Sequence, residues 1–228
     1  MEKMNLSDKK VLLFDLDGTL ADSSQDLAFA VNETIVKLGL SPLKDNLIKN
    51  WIGDGATVLI QRALSRSHII SNSLDPVETK RALEIFFNIY GANICAKTQL
   101  YKGVLETLTE LKFRGYKLAI ITNKPEKFIS PILDALSLND LFELILGGDT
   151  LERKKPDPFP LNFAHQYFTV HKNQCAMIGD SKNDILAAKA ASIDSIAVTY
   201  GYNYGEDISN YKPELVITCF SELLTIFN

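Results

Sequence analysis

Short unbroken apolar runs alternate with amphipathic stretches along most of this chain, and the first run, Val11-Leu12-Leu13-Phe14, comes almost at once. Four consecutive apolar residues predict a strand buried on both faces, the kind found inside a parallel sheet. Comparable runs recur at 117–122, 144–146, 176–178, 195–198 and 215–217. Helical spacing fills the gaps. Leu105, Leu108 and Leu111 line one side of a helix over 104–114 that Gly115 closes. Further helices are predicted over 125–136, 158–168, 183–191 and 220–226, and Pro131 must kink the first of these or mark a new start. Strands alternating with helices predict an α/β class, a doubly wound Rossmann-like parallel sheet with right-handed crossovers.

Between the first strand and the rest the pattern changes. Leu27, Val31, Ile35 and Leu38 recur at helical spacing, with Asp22, Ser23 and Ser24 as N-cap candidates and Gly39 as the stop. A short helix is predicted over 45–51, a glycine-broken WIGDGA segment over 51–56, and a third helix to about Leu64. Residues 65–74 read as a loop. Asp75-Pro76-Val77-Glu78 is a helix start with a cap, a proline at the first position and an acid at the third. No strand is expected here. The organisation that follows is a core domain of residues 1–20 and 98–228 and an all-helical cap domain of residues 21–97. An insertion just beyond a strand's carboxyl end lies over the crevice where such sheets bind ligands.

Composition adds mainly exclusions. The chain has 228 residues, 46% hydrophobic and 23% charged, with net charge −4, values of an ordinary globular protein with a sizeable core. No basic cluster with interleaved aromatics suggests nucleic acid. Cys95, Cys175 and Cys219 are scattered, without disulfide-framework or metal-ligand spacing. The N-terminal residues are polar, and no stretch approaches the ~20 apolar residues of a membrane span. A cytoplasmic protein, monomeric or homodimeric, is expected, without membrane or nucleic-acid partners.

The chemistry collects at the strand ends. The first ends in Asp15 and Asp17, two residues apart and so on the same side of an extended segment. Two such carboxylates repel unless a divalent cation, or a proton on one of them, compensates. Gly18 permits a sharp turn and Thr19 offers a hydroxyl. The second strand ends in Thr122-Asn123-Lys124, the loop after the third holds Lys154-Lys155-Pro156, and the fourth ends in Gly179-Asp180-Ser181 with Asp184 beyond. In a parallel sheet all four project to one rim. Carboxylates clustered there suit a hard cation such as Mg²⁺, and a hydroxyl with an ammonium suits a phosphate.

These four segments, in this order, resemble the motifs of the haloacid-dehalogenase-superfamily phosphatases: DLDGT at residues 15–19, Thr122 after a hydrophobic strand, Lys155 before a proline, and GDSKND at residues 179–184. The helical block resembles that superfamily's first cap class. A narrower resemblance, to bacterial phosphoglycolate phosphatases, is carried by WIGDGATVLIQRAL, ITNKPEKF, GGD and TYGYNYGE. The resemblance implies hydrolysis of 2-phosphoglycolate, a small phosphorylated metabolite, with Mg²⁺ as cofactor. It implies Asp15 as nucleophile, Asp17 as general acid and base, and phosphate held by Thr122, Asn123, Lys155 and Gly18. The metal would take Asp15, the Asp17 backbone carbonyl and Asp180, with Asp184 orienting them. An acid at position 17 argues against the dehalogenase branch, which needs none.

Other functions remain open on the residues alone. They are hydrolysis of another small phosphoester or pyrophosphate, a sugar-phosphate mutase reaction, or a phosphate-binding module without turnover. Residues 199–206 either contact substrate or brace the cap, and Gly53 and Gly55 either contact substrate or only break helices. His68, His165 and His171 carry no motif.

Overall fold

Strand β1 (Val11–Phe14) is wholly buried, and its residues divide alternately between two apolar layers. The computed structural model describes residues 8–228, so most of the polar N-terminal stretch lies outside the described residues. After β1 come β2 (Ala21–Asp22), helices α1 (Ser24–Lys37), α2 (Asp45–Lys49), α3 (Ala56–Ser65) and α4 (Pro76–Ala92), and β3 (Gln99–Leu100). The remainder alternates: α5 (Val104–Phe113), β4 (Lys117–Ile121), α6 (Ile129–Ala135), β5 (Leu144–Leu146), α7 (Phe159–Tyr167), β6 (Cys175–Gly179), α8 (Lys182–Ala191), β7 (Asp194–Val198), β8 (Leu215–Ile217) and α9 (Leu223–Ile226).

The large sheet has the order β5-β4-β1-β6-β7-β8, and every adjacent pair is parallel. From β1 the chain builds outward to β4 and β5, then returns to β6 on the other side. The order therefore reverses at β1, and the carboxyl ends of β1, β4 and β6 border the crevice. Leu12 and Phe14 face Leu108, Leu111 and Phe220 on one side. Val11 and Leu13 join Leu161, Ala187 and Ala191 on the other. Each such fully buried Leu or Phe contributes roughly 1.5–3 kcal/mol. The small residues of α8 let that helix lie close against the sheet.

The helices between β2 and β3 form a cap. Within it α1 packs on α2 and α4, and α3 packs on α4. Ile35, Ile48, Trp51, Ile60 and Phe86 fill its interior. Asp75 caps α4 as the sequence suggests, accepting from the Val77 N–H at 2.9 Å, with Pro76 in the first position.

Three local expectations are corrected. First, β2 and β3 form a two-stranded antiparallel ribbon where the chain enters and leaves the cap. Strands of two residues are too short to show any period. Second, the helix expected over 125–136 is a 3₁₀ turn at Glu126–Phe128 followed by α6. Pro131 thus lies in the first turn of α6, where a missing N–H costs little. Third, Ser23 occupies the N-cap position of α1 without a side-chain cap bond. Its hydroxyl donates instead to Asp17 Oδ1 at 2.5 Å.

Candidate active site

Asp15 extends β1 by one residue, its N–H donating to Ile178 O at 3.0 Å, so the sheet ladder itself fixes where the carboxylate sits. The chain then turns back on itself, with the Leu20 N–H bonded to Leu16 O. Gly18 adopts φ +92° in this turn, and a Cβ there would lie 2.2 Å from Asp180 Oδ2. Only glycine gives both the left-handed backbone and the space. Thr19 donates its hydroxyl proton to Asp180 Oδ1 at 2.8 Å. The Tyr202 N–H holds the other oxygen of Asp180 at 2.8 Å.

Asp184 lies in the first turn of α8, where its Oδ2 accepts from the N–H and hydroxyl of Ser181 at 3.0 and 2.7 Å. That is a capping box. Its Oδ1 accepts from Lys155 Nζ at 2.5 Å. The same ammonium stands 3.0 Å from Asp15 Oδ1. Lys155 follows a loop that ends in a cis Lys155–Pro156 bond. Of the doubled lysines, Lys155 turns inward and is buried, while Lys154 reaches to Asp54 O in the cap at 2.6 Å.

Carboxylate oxygens of Asp15, Asp180 and Asp184 lie within 4.8 Å of one another, all buried. Burial first, then Asp184 and Asp17, push the Asp15 carboxyl up to about 6 against the pull of Lys155 and Thr122. Burial, then Asp15 and Asp184, raise Asp180 well above the carboxylate range. Burial works against the Lys155 ammonium, yet Asp15 and Asp184 hold its pKa above the usual lysine value. Three buried carboxylates share one ammonium, which reaches Asp15 and Asp184. A divalent cation fits this cluster on charge and on its hard oxygen donors. Asp184 lies within reach of the other two carboxylates of the cluster, with its own oxygens bonded to Lys155 and Ser181. The Asp17 carboxylate lies outside it, paired with Lys124 Nζ at 3.0 Å to each oxygen.

Thr122 follows β4, its N–H bonded to Leu146 O, with its hydroxyl toward Asp15. Two groups near the expected phosphate position, the Asn123 side-chain amide and the Gly18 N–H, have protein partners. The Asn123 amide donates to Gly53 O and Lys155 O, both at 2.9 Å, which ties the cap loop to the Lys155 loop. The Gly18 N–H goes to Ala21 O at 2.9 Å. A pocket opens over Asp15, Asp17 and Thr122, with an empty volume of ≈ 480 Å³, its solvent mouth included.

The haloacid dehalogenase-like hydrolase family model matches residues 12–198. This chain belongs to the haloacid dehalogenase-like hydrolases. A phosphoglycolate phosphatase of Colwellia psychrerythraea is 56% identical to this hydrolase over 221 residues, 97% of this chain and 98% of the other. One from Vibrio parahaemolyticus is 42% identical, covering 98% of each. The crystal structure of a predicted phosphoglycolate phosphatase from Haemophilus somnus superposes with a TM-score of 0.90 at 39% identity, covering 96% of this chain and 98% of that one.

Several residues of this hydrolase that bear on the site had no individual role in the sequence reading. Lys124 directly follows Thr122 and Asn123 at a strand end, and that position was the available signal. Ser23 and Lys124 together orient Asp17. Tyr202 links the cluster to the ribbon: its hydroxyl donates to Asp22 Oδ1 and accepts from the Ser23 N–H. Tyr204 accepts from Asn183 Nδ2 at 2.8 Å, beside Asp54 of the cap. Residues 199–206 thus brace the cap. No helix among the described residues is long and apolar enough to cross a membrane.

Proposed function

We propose that this chain is a Mg²⁺-dependent phosphatase that converts 2-phosphoglycolate and water to glycolate and orthophosphate through an aspartyl-phosphate on Asp15. The observation that carries the reading is Asp15, which lines a small pocket beneath the cap and meets Lys155 and the carboxylate cluster on its other side. Asp15 Oδ attacks phosphorus and the P–O ester bond breaks. Asp17, aimed at the pocket by Ser23 and Lys124, delivers the proton that the departing alkoxide needs. Water then attacks the phosphorus, Asp17 takes its proton, and the bond to Asp15 breaks. Positioned proton transfer of this kind is worth roughly 10²–10⁴-fold. Thr122 and Lys155 supply donors to the phosphate oxygens. Asn123 and Gly18 shape the site, one by bridging loops and one by making room for Asp180.

Asp15 and Asp180, with Asp184 beside them and the Asp17 carbonyl near, would hold Mg²⁺. The ion supplies charge neutralisation for an anion attacked by an anion. Of the expected core, residues 1–20 and 98–228, those from 8 on are described, and the ribbon where the chain enters and leaves residues 21–97 supports taking the latter as the cap. The enzyme acts on a small metabolite in the cytoplasm, as monomer or homodimer, without nucleic acid.

The test is Mg²⁺-dependent orthophosphate release from a panel of small phosphate esters ranked by kcat/KM. First rank for 2-phosphoglycolate is expected. A rank well below other esters refutes the substrate and leaves the family. Isomerised sugar phosphate as the product would indicate a mutase.

A further inference from the structure

We propose that Lys124 is the specificity-determining residue for the substrate's second anionic group, its ammonium receiving the carboxylate while the phosphate lies over Asp15. The proposal rests on the phosphatase reading above and names the contact that makes the substrate an acid.

The cap side of the pocket is lined by Leu27, Ile52, Ala56, Leu59, Phe86 and Tyr90, none of them charged. Among the described residues lining the pocket, Lys124 alone has a basic side chain. Lys155 is turned to the metal side, against Asp15 and Asp184. A carboxylate brought between apolar walls without a partner would cost several kcal/mol. The charged side chain that meets it must therefore come from the core.

Lys124 is placed for this. Its side chain is buried and its Nζ lies 4.7 Å from the centre of the Tyr90 ring. Two of its three N–H donors face the oxygens of Asp17, and the third lies on the side of the Tyr90 hydroxyl. The Tyr90 hydroxyl group belongs to a buried residue that lines the same pocket. The leaving oxygen must lie against Asp17 to receive its proton. In a two-carbon acid ester the carboxylate carbon is two bonds from that oxygen, so an ammonium 3.0 Å from Asp17 is within its reach.

A second positive element faces the same space. Helix α3 begins at Ala56 with Gly55 as its N-cap, at φ +88° and without a side-chain cap bond, and no acid occupies its first turn. Gly55 and Ala56 both line the pocket. The free N–H groups of that turn favour an anion.

The test compares 2-phosphoglycolate with 2-hydroxyethyl phosphate, in which a hydroxymethyl group replaces the carboxylate, on full-length enzyme with Mg²⁺. Wild type prefers the acid in kcat/KM. In Lys124→Met the ratio of the two kcat/KM values falls by roughly 10²-fold, whatever happens to either rate alone. An unchanged ratio with both rates reduced overturns the proposal, because Lys124 would then act only through Asp17. A wild type indifferent to the carboxylate also overturns it and leaves the phosphatase reading intact. A wild type that turns over neither compound but hydrolyses other esters refutes the substrate reading instead.

Lys124→Met leaves Asp17 unpaired and can fail to fold. Asp17→Asn and Asp17→Asn/Lys124→Met are therefore compared by calorimetric binding of both compounds. The single variant binds the acid more tightly, and the double variant has lost that preference. A preference that persists in the double variant overturns the proposal.

Discussion

Asn183, in the first turn of α8, donates its amide proton to Asp54 Oδ1 in the cap at 2.8 Å. The other oxygen of Asp54 accepts from Arg62 at 2.6 Å, and the cause of its lowered pKa, set against burial, is this pair of donors. Cap and catalytic rim are thus joined by a half-buried, charge-assisted contact. Such bonds contribute roughly 1.5–3 kcal/mol.

Asn183→Ala should weaken cap closure. The expected result is a fall of about 10-fold in kcat/KM, mostly through KM, with the thermal midpoint moved by only a few degrees. Steady-state kinetics beside differential scanning fluorimetry checks this. An unaltered KM would mean that the contact does not hold the closed state.

Asp15→Asn should remove turnover while keeping the fold. The amide cannot attack phosphorus, and the loss should exceed about 10³-fold. Burial disfavours the Asp15 carboxylate, so without metal the variant should be at least as heat-stable as wild type near neutral pH. Orthophosphate release and the thermal midpoint in EDTA are the two measurements. Substantial residual turnover from contaminant-free protein would refute the nucleophile.

Stability should depend on pH and metal together. Asp15 titrates near 6 in the folded protein against an ordinary 3.8, and Asp180 is shifted the same way. A raised carboxyl pKa means that folding favours the protonated form. The stability Asp15 contributes is present below about pH 4 and is lost as pH rises through about 6, and Asp180 acts in the same direction. A divalent cation takes over the role of the protons. The Mg²⁺-induced gain in thermal midpoint should therefore be larger at about pH 7.5 than at about pH 5. A gain of equal size at both would contradict this account of the cluster.

Gly18→Ala should damage the metal site more than the fold. The added methyl would meet Asp180 at 2.2 Å on a backbone at φ +92°. Asp180 must move, and its bonds to Thr19 and Tyr202 go with it. Calorimetry should show Mg²⁺ affinity down by at least about 10-fold. Retained affinity would show that Asp180 is not a ligand.

The α/β class and the buried parallel strands could be read from the chain alone, because apolar runs and helical spacing are local properties. The four strand-end segments were legible for the same reason: each is a few contiguous residues, and a parallel sheet leaves them only one rim to share. Asp75 capping α4 is another local feature that held in three dimensions. Where a feature was local but brief, as in the two-residue ribbon strands, the pattern carried no signal.

What tertiary structure decided was pairing. Asp17 and Lys124 are 107 residues apart, and nothing in either neighbourhood specifies that they meet. Ser23 has the composition of a helix cap, yet its hydroxyl donates to the charged Asp17 and accepts from no N–H of the helix start. Lys154 and Lys155 are chemically identical neighbours, and only the packing of the cap loop against the sheet sends one to Asp54 and the other to the carboxylates. Periodicity records which residues avoid water. Which buried charge neutralises which depends on where the folded chain leaves them.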